Sequence, residues 1–246
     1  MSSRSIVELN PGDELRETAG QVHEFGTLGV LADREFRYCR LGATAVTAGK
    51  VLQTAANVAN HDDDLVVTAA AAGVTAVTVA LGATAITADQ YKDGYVYFHT
   101  STGTGPGQMF KIGTHPAVAS SGAFAVPFAG DQRLVTAVNA TTTAGLMIAP
   151  HNKVIIAPTT HTGHCVGVTP FDVTADYYFW AQTKGVRNTL IQGTVTIGQE
   201  VMRSDGVAGA VEAADAAGTV ENQILGTVTL IVNADADYGL IALKID

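Results

Sequence analysis

Period-two alternation constrains this chain more than any other feature. In VTAVTVAL (residues 74–81) an extended backbone turns Val74, Ala76, Thr78 and Ala80 one way and Thr75, Val77, Val79 and Leu81 the other. The same reading applies to YVYFHT (95–100), RLVTAVNA (133–140), GLMIAP (145–150), NKVIIAP (152–158), DYYFWAQTKG (176–185), NTLIQGTVTIG (188–198), ILGTVTLIVNA (224–234) and YGLIALKI (238–245). Asp93-Gly94, the Gly103/Gly105/Pro106/Gly107 stretch, Pro116, Ser121-Gly122 and Asp205-Gly206 punctuate these runs as hairpin tips. Short helices are expected only near Asp13 to Thr18 and over Val211 to Ala217, where VEAADAA has helix propensity but almost no apolar face.

The expected fold is therefore all-β and mainly antiparallel, a β-sandwich or barrel-like body. The first forty residues hold no alternating run before Glu35 to Arg40 and read as an extended N-terminal arm, ordered by lying on its own body or on a neighbouring subunit. Residues 41–150 and 151–246 are expected to form two β-rich lobes. LGATAVTA (41–48) recurs as LGATAITA (81–88), which reads as two similar strand-entry turns, since a solenoid needs at least three related units and no third copy is visible.

Composition narrows the partners. A net charge of −9 and a pI near 5.1 repel a phosphate backbone, so nucleic acid is not an expected partner. Cys39 and Cys165 lack CxxC spacing and read as small buried residues. MSSRSIVELNPGDELRETAG has no apolar stretch of the secretory kind, so the chain is expected to stay in the compartment that made it. Residues 65–88 form a charge-free run long enough to cross a bilayer. They are rich in Ala and Thr and bordered by Asp62, Asp63, Asp64 and Asp89 rather than Lys or Arg, so no membrane role is expected.

Candidate chemistry is sparse. His61-Asp62-Asp63-Asp64 offers an imidazole and three carboxylates to a divalent cation, yet adjacent strand residues point to opposite faces, and a solvated acidic loop is the simpler reading. His161, His164 and Cys165 in HTGHC, with His151 as a distant fourth, lack the second pair that structural zinc sites use. The Gly103–Gly107 loop has no following Gly-Lys-Ser/Thr and matches neither phosphate-binding fingerprint. Ser120-Ser121-Gly122 lacks the strand-to-helix setting of a nucleophile elbow, and no kinase or zinc-protease motif occurs. No catalytic residue, cofactor or resident metal is therefore expected. Tyr177 to Trp180 put an aromatic pair on each face of one strand: one face should be core, and the other is either a partner anchor or is covered as well.

The progression FGTLGVLADREFRYCRLGATAVTAGKVLQ, then ADQYKDGYVYFHTSTGTGPGQMFKIGTHPA, then DYYFWAQTKG, and a closing YGLIALKI resembles tailed-bacteriophage virion proteins, in particular those that decorate or cement the capsid exterior. The resemblance implies a β-rich, non-enzymatic subunit made in the host cytoplasm. It would sit on the virion surface, with the major capsid protein and further copies of itself as partners, and a trimer is one possible assembly. This chain is longer than the small trimeric decoration proteins, and the family has no catalytic residues to carry over. Partner contacts are expected from Phe25, Phe36, Arg37, Tyr38 and Arg40 in the arm and from Tyr178, Trp180, Lys184 and Arg187 on the aromatic strand and its turn. The alternatives are a tail or fibre component of the same kind of particle, and a carbohydrate- or metal-binding β module using Asp62 to Asp64, His161 and His164.

Overall fold

A computed structural model describes residues 6–99, 102–214, 223–230 and 237–245. Among them the only helical element is a 3-10 turn at Asp13–Leu15, and the fold is all-β and mainly antiparallel, as the alternation requires. The strands are β1 (Ile6–Glu8), β2 (Leu28–Leu31), β3 (Arg34–Arg40), β4 (Val51–Gln53), β5 (Leu65–Val66), β6 (Ala76–Ala80), β7 (Tyr95–Phe98), β8 (Met109–Lys111) and β9 (Ala123–Pro127). They continue with β10 (Thr143–Met147), β11 (Ile155–Ile156), β12 (Cys165–Val168), β13 (Tyr178–Leu190), β14 (Glu200–Arg203), β15 (Val211–Ala213), β16 (Ile224–Leu230) and β17 (Tyr238–Lys244).

Two compact units result, and their boundaries differ from the sequence expectation. One unit joins residues 1–56 to 150–246; the other is the continuous segment 57–149. The reason is strand pairing. β3 pairs along β13, and β4 pairs with β11 and β12, so the chain before residue 57 closes on partners more than a hundred residues later. The first unit carries an eleven-stranded sheet whose main path is β1-β2-β3-β13-β17-β16-β14-β15, with β4, β11 and β12 branching from it. The second contains a four-stranded sheet, β5-β10-β7-β8, and the ribbon β6-β9.

The arm expected over residues 1–40 is corrected by the same pairing. β2 and β3 form a hairpin inside the large sheet, and β1 lies parallel on β2. Residues 9–23 cross one face of β3 and β13, where Leu9 packs with Phe36, Tyr38 and Trp180. The Val22 amide donates to the Tyr38 hydroxyl at 3.0 Å, and the Glu17 carboxylate accepts from the Thr174 amide at 2.7 Å and hydroxyl at 2.6 Å. The segment is ordered on its own body.

The forty-residue echo marks one corner built in both units, and each copy begins where a strand ends, at β3 or β6, rather than as a strand-entry turn. In the first, Arg40 stands opposite Tyr178, the Leu41 amide donates to Tyr177 O, Val46 and Val173 exchange two backbone bonds, and the Asp176 amide donates to Gly42 O. In the second, Ala80 stands opposite Ala123, the Leu81 amide donates to Gly122 O, Ile86 and Val118 exchange two bonds, and the Ser121 amide donates to Gly82 O. Registers and bond partners correspond one for one. Asp176 and Ser121 hold positive φ, 64° and 59°, so each chain reverses through a left-handed residue before its strand begins. A third strand end begins alike without the octapeptide: Leu190 opposes Tyr238 and the Ile191 amide donates to Asp237 O.

Three expected elements are absent, each for a local reason. RLVTAVNA forms no strand because the Val135 and Thr136 amides both donate to Gln108 Oε1 at 2.9 Å, which replaces a ladder, and only Val138 bridges, to Ala70. NTLIQGTVTIG is strand only through Leu190, after which the corner turns it out of the sheet. Val211–Ala213 is strand, not helix, because antiparallel pairing with β14 overrides local propensity; residues 215–217 of that expected helix lie outside the described residues. The 65–88 run supplies β5, β6 and the second corner, and no helix among the described residues is long and apolar enough to cross a membrane.

Candidate interaction site and the polar clusters

Pairing of β3 with β13 builds the aromatic site. Strand alternation puts Phe36, Tyr38 and Arg40 on the same face as Tyr178 and Trp180, with Trp180 directly opposite Tyr38 and Tyr178 opposite Arg40. The Tyr38 and Trp180 rings meet edge to face at 5.1 Å, Tyr38 stacks on Tyr178 at 6.0 Å, and His23 packs against both Tyr38 and Trp180. A cavity of about 190 Å³ opens here, lined by Leu9, Arg16, His23, Tyr38, Tyr178 and Trp180 among others. The opposite face carries Cys39, Phe179 and Ala181 into a separate buried cluster, so the sheet is covered on both sides.

Burial revises the expected contact residues. Phe36, Tyr38 and Trp180 are 0%, 2% and 6% exposed, which makes them core in this chain rather than surface for a partner. The basic residues are engaged internally. Arg37 donates to Gly26 O at 3.1 Å; Arg40 pairs with Asp176 at 2.9 Å and lies over the Tyr178 ring. Lys184 pairs with Glu35 at 2.7 Å, and Arg187 donates to Pro170 O at 2.5 Å. Burial lowers the Arg187 pKa, Arg34 adds to that, and Glu14 opposes it. Phe25 and Tyr178 are half-buried, stacked at 6.0 Å, and Lys184 is exposed. The surface that remains for a partner is the row Phe25–Tyr178–Arg40, with Lys184 further along β13.

The acidic run is also rearranged. His61 is fully buried. Thr84 O can only accept, so Nε2 donates to it at 3.0 Å and the bare Nδ1 accepts the Tyr91 hydroxyl at 2.7 Å. Burial keeps the Tyr91 phenol far above its ordinary pKa. His61 is thus a core residue, and the imidazole beside the carboxylates is His99, whose Nε2 lies 3.0 Å from Asp63 Oδ1. Among the described residues, Asp63, Asp64 and His99 are the only group of three or more His, Cys, Asp or Glu whose ligand atoms converge, so HTGHC gathers no such set. His161 and His164 both have lowered pKa values, chiefly from desolvation, and burial pushes the Cys165 thiol up to about 11.

One residue with no sequence signal organises that neighbourhood. Arg203 on β14 is 3% exposed. It donates to Gln53 Oε1 at 2.8 Å, Thr160 O at 3.0 Å and Gly163 O at 3.2 Å, and it also donates to Pro158 O. Carbonyl dipoles take the place of a carboxylate, and Nε finds no partner. Within MRSD an arginine reads as surface; only the packing of 158–163 over β4 encloses it. Comparison with protein-family models, with curated proteins and with solved structures returned no match.

Proposed function

We propose that this chain is a non-enzymatic structural protein of a tailed-bacteriophage particle, one that decorates and stabilises the capsid exterior. The observation that carries the reading is where the resembling segments fall. Residues 25–53, 176–185 and 238–245 supply β2, β3, β4, most of β13 and β17, of which β2, β3, β13 and β17 are consecutive neighbours in the large sheet, while residues 88–117 supply β7 and β8 of the four-stranded sheet. Three of the four resembling segments therefore fall on the large sheet, and the fourth falls in the 57–149 unit.

The chemistry of the surface supports a gripping role. β1 ends the path of the sheet among the described residues and leaves Ile6 58% exposed, which suits strand addition by a neighbour through backbone hydrogen bonds. The Phe25–Tyr178–Arg40 row supplies aromatic and guanidinium groups of the kind that anchor interfaces. The partners in this reading are the major capsid protein and further copies of the chain, on the outside of the head.

The test is binding of the purified protein to undecorated heads. Co-sedimentation, followed by a rise in the temperature at which the heads release DNA, is the expected result. Labelled protein found on tails would move the assignment to a tail component. A chain that stays monomeric and binds neither heads nor tails overturns the proposal.

A further inference from the structure

Tyr91 stands between two buried histidines of the 57–149 unit, and the partners of all four imidazole nitrogens call for neutral rings. His61 Nε2 donates to Thr84 O, and its bare Nδ1 accepts the Tyr91 hydroxyl. His115 is 4% exposed, and its Nε2 accepts the Tyr91 amide at 3.0 Å. An amide N–H only donates, so that nitrogen carries no proton, and Nδ1 donates to Pro116 O at 2.9 Å. The rings form one stack: His61 meets Tyr91 edge-on at 5.8 Å, Tyr91 lies along His115 at 6.4 Å, and His115 meets Phe124 of β9 at 4.9 Å. Tyr91 and Phe124 belong to the core cluster of this unit. The backbone closes around the same residues. The Asp89 amide donates to His115 O at 3.0 Å, the His115 amide to Asp89 Oδ1 at 2.9 Å, and the Leu146 amide to His61 O at 2.7 Å.

The segments around the stack, 57–64, 81–98, 109–128 and 143–147, carry Asp62 to Asp64, Asp89, Lys92, Asp93 and Lys111 as their charged groups. None of these bonds a ring nitrogen of either histidine, and the Tyr97 hydroxyl donates to Asp62 O instead. A proton on His115 Nε2 faces the Tyr91 N–H, which leaves two buried donors without an acceptor and an imidazolium between Tyr91 and Phe124 with no carboxylate on it. A second proton on His61 displaces the Tyr91 O–H from Nδ1. We propose that the His61–Tyr91–His115 stack is an acid-sensitive lock, in which protonation of His115, and secondarily of His61, opens the 57–149 unit. A ring that must be neutral in the closed unit takes its second proton only in the open form. The closed state is therefore fully favoured above the ordinary imidazole value of about 6.5 and loses ground below it, the open population rising by up to about tenfold per pH unit for each such ring.

Amide hydrogen exchange of the full chain, followed by mass spectrometry at about pH 7.5 and about pH 5 and corrected for the intrinsic rate, tests this. Peptides covering 89–93 and 112–118 should lose protection by about tenfold or more at the lower pH. In His115→Gln the side-chain oxygen accepts the Tyr91 N–H at either pH, so the loss should shrink by at least about threefold. His99→Gln, at an exposed histidine of the same unit, should respond as the parent does. Far-UV circular dichroism checks that each variant folds. ¹⁵N NMR of the imidazoles in the parent decides the matter even where His115→Gln does not fold: His115 should show a bare Nε2 wherever 89–118 is protected. Undiminished protection of the parent at the lower pH, a full acid response in His115→Gln, loss of the response in His99→Gln, or a His115 imidazolium in the closed unit overturns the lock.

Discussion

Replacing Arg203 with methionine tests whether a buried guanidinium held by carbonyl oxygens stabilises the 1–56/150–246 unit. Methionine fills much of the same volume and donates nothing. The bond to Gln53 Oε1 is fully buried, while those to Pro158, Thr160 and Gly163 are part-buried. A buried bond to a charged donor contributes about 1.5–3 kcal/mol and each part-buried one about 0.5–1 kcal/mol, and relief of guanidinium desolvation offsets part of the sum. The expected net loss is about 3 kcal/mol, which at a urea slope of about 2 kcal/mol/M lowers the midpoint by about 1.5 M. The assay is built in: Trp180 is the single tryptophan, 6% exposed, and belongs to the same unit, so its fluorescence follows this unfolding. Arg203→Lys should fall between parent and methionine because an ammonium reaches some of the same acceptors. A methionine variant whose midpoint lies within about 0.3 M of the parent, far below the expected shift, refutes the reasoning.

Removing residues 1–24 should uncover the Tyr38–Trp180 face and shift Trp180 emission to the red, whereas removing 1–40 deletes β3 and should abolish cooperative unfolding seen by Trp180; an unshifted spectrum in the first case sinks the assignment of that segment as a cover. In Gly29→Ala the new Cβ would lie 2.8 Å from Trp180 Cζ3 and 3.0 Å from Leu9 Cδ1, and denaturant unfolding should show a loss of about 1–3 kcal/mol. The Cys165 thiol holds its proton up to about pH 11 when folded, against an ordinary value of 9.0. Between those values the folded chain binds more protons than the unfolded one, so stability falls by about 3 kcal/mol as pH rises through that window, and none of this loss is present below it. Cys165→Val should flatten that part of the stability–pH curve, and an unchanged slope would count against it.

The sequence by itself determined which residues of a strand share a face. In β6 Val77 and Val79 are buried while Ala76, Thr78 and Ala80 are not, as the alternation of VTAVTVAL requires, and Cys39 and Cys165 are buried as their small apolar character implies. Side-chain parity is a local property of an extended backbone, so it is written along the chain. The choice of strand partner is not local, and only the tertiary structure decided it. Pairing of β3 with β13 made the Tyr38/Trp180 face an interior covered by residues 9–23 and left Tyr178 half-buried. It also moved the unit boundaries to 56/57 and 149/150 and turned Phe36, Tyr38 and Trp180 from expected contacts into core. The same distinction separates His61 from His99: both neighbour the aspartates in space or in sequence, but a turn at Asp64 and the end of a strand thirty-odd residues later selected which imidazole meets them. Arg203 lies furthest from anything legible, because its enclosure depends on backbone carbonyls, which every residue carries and no sequence pattern marks.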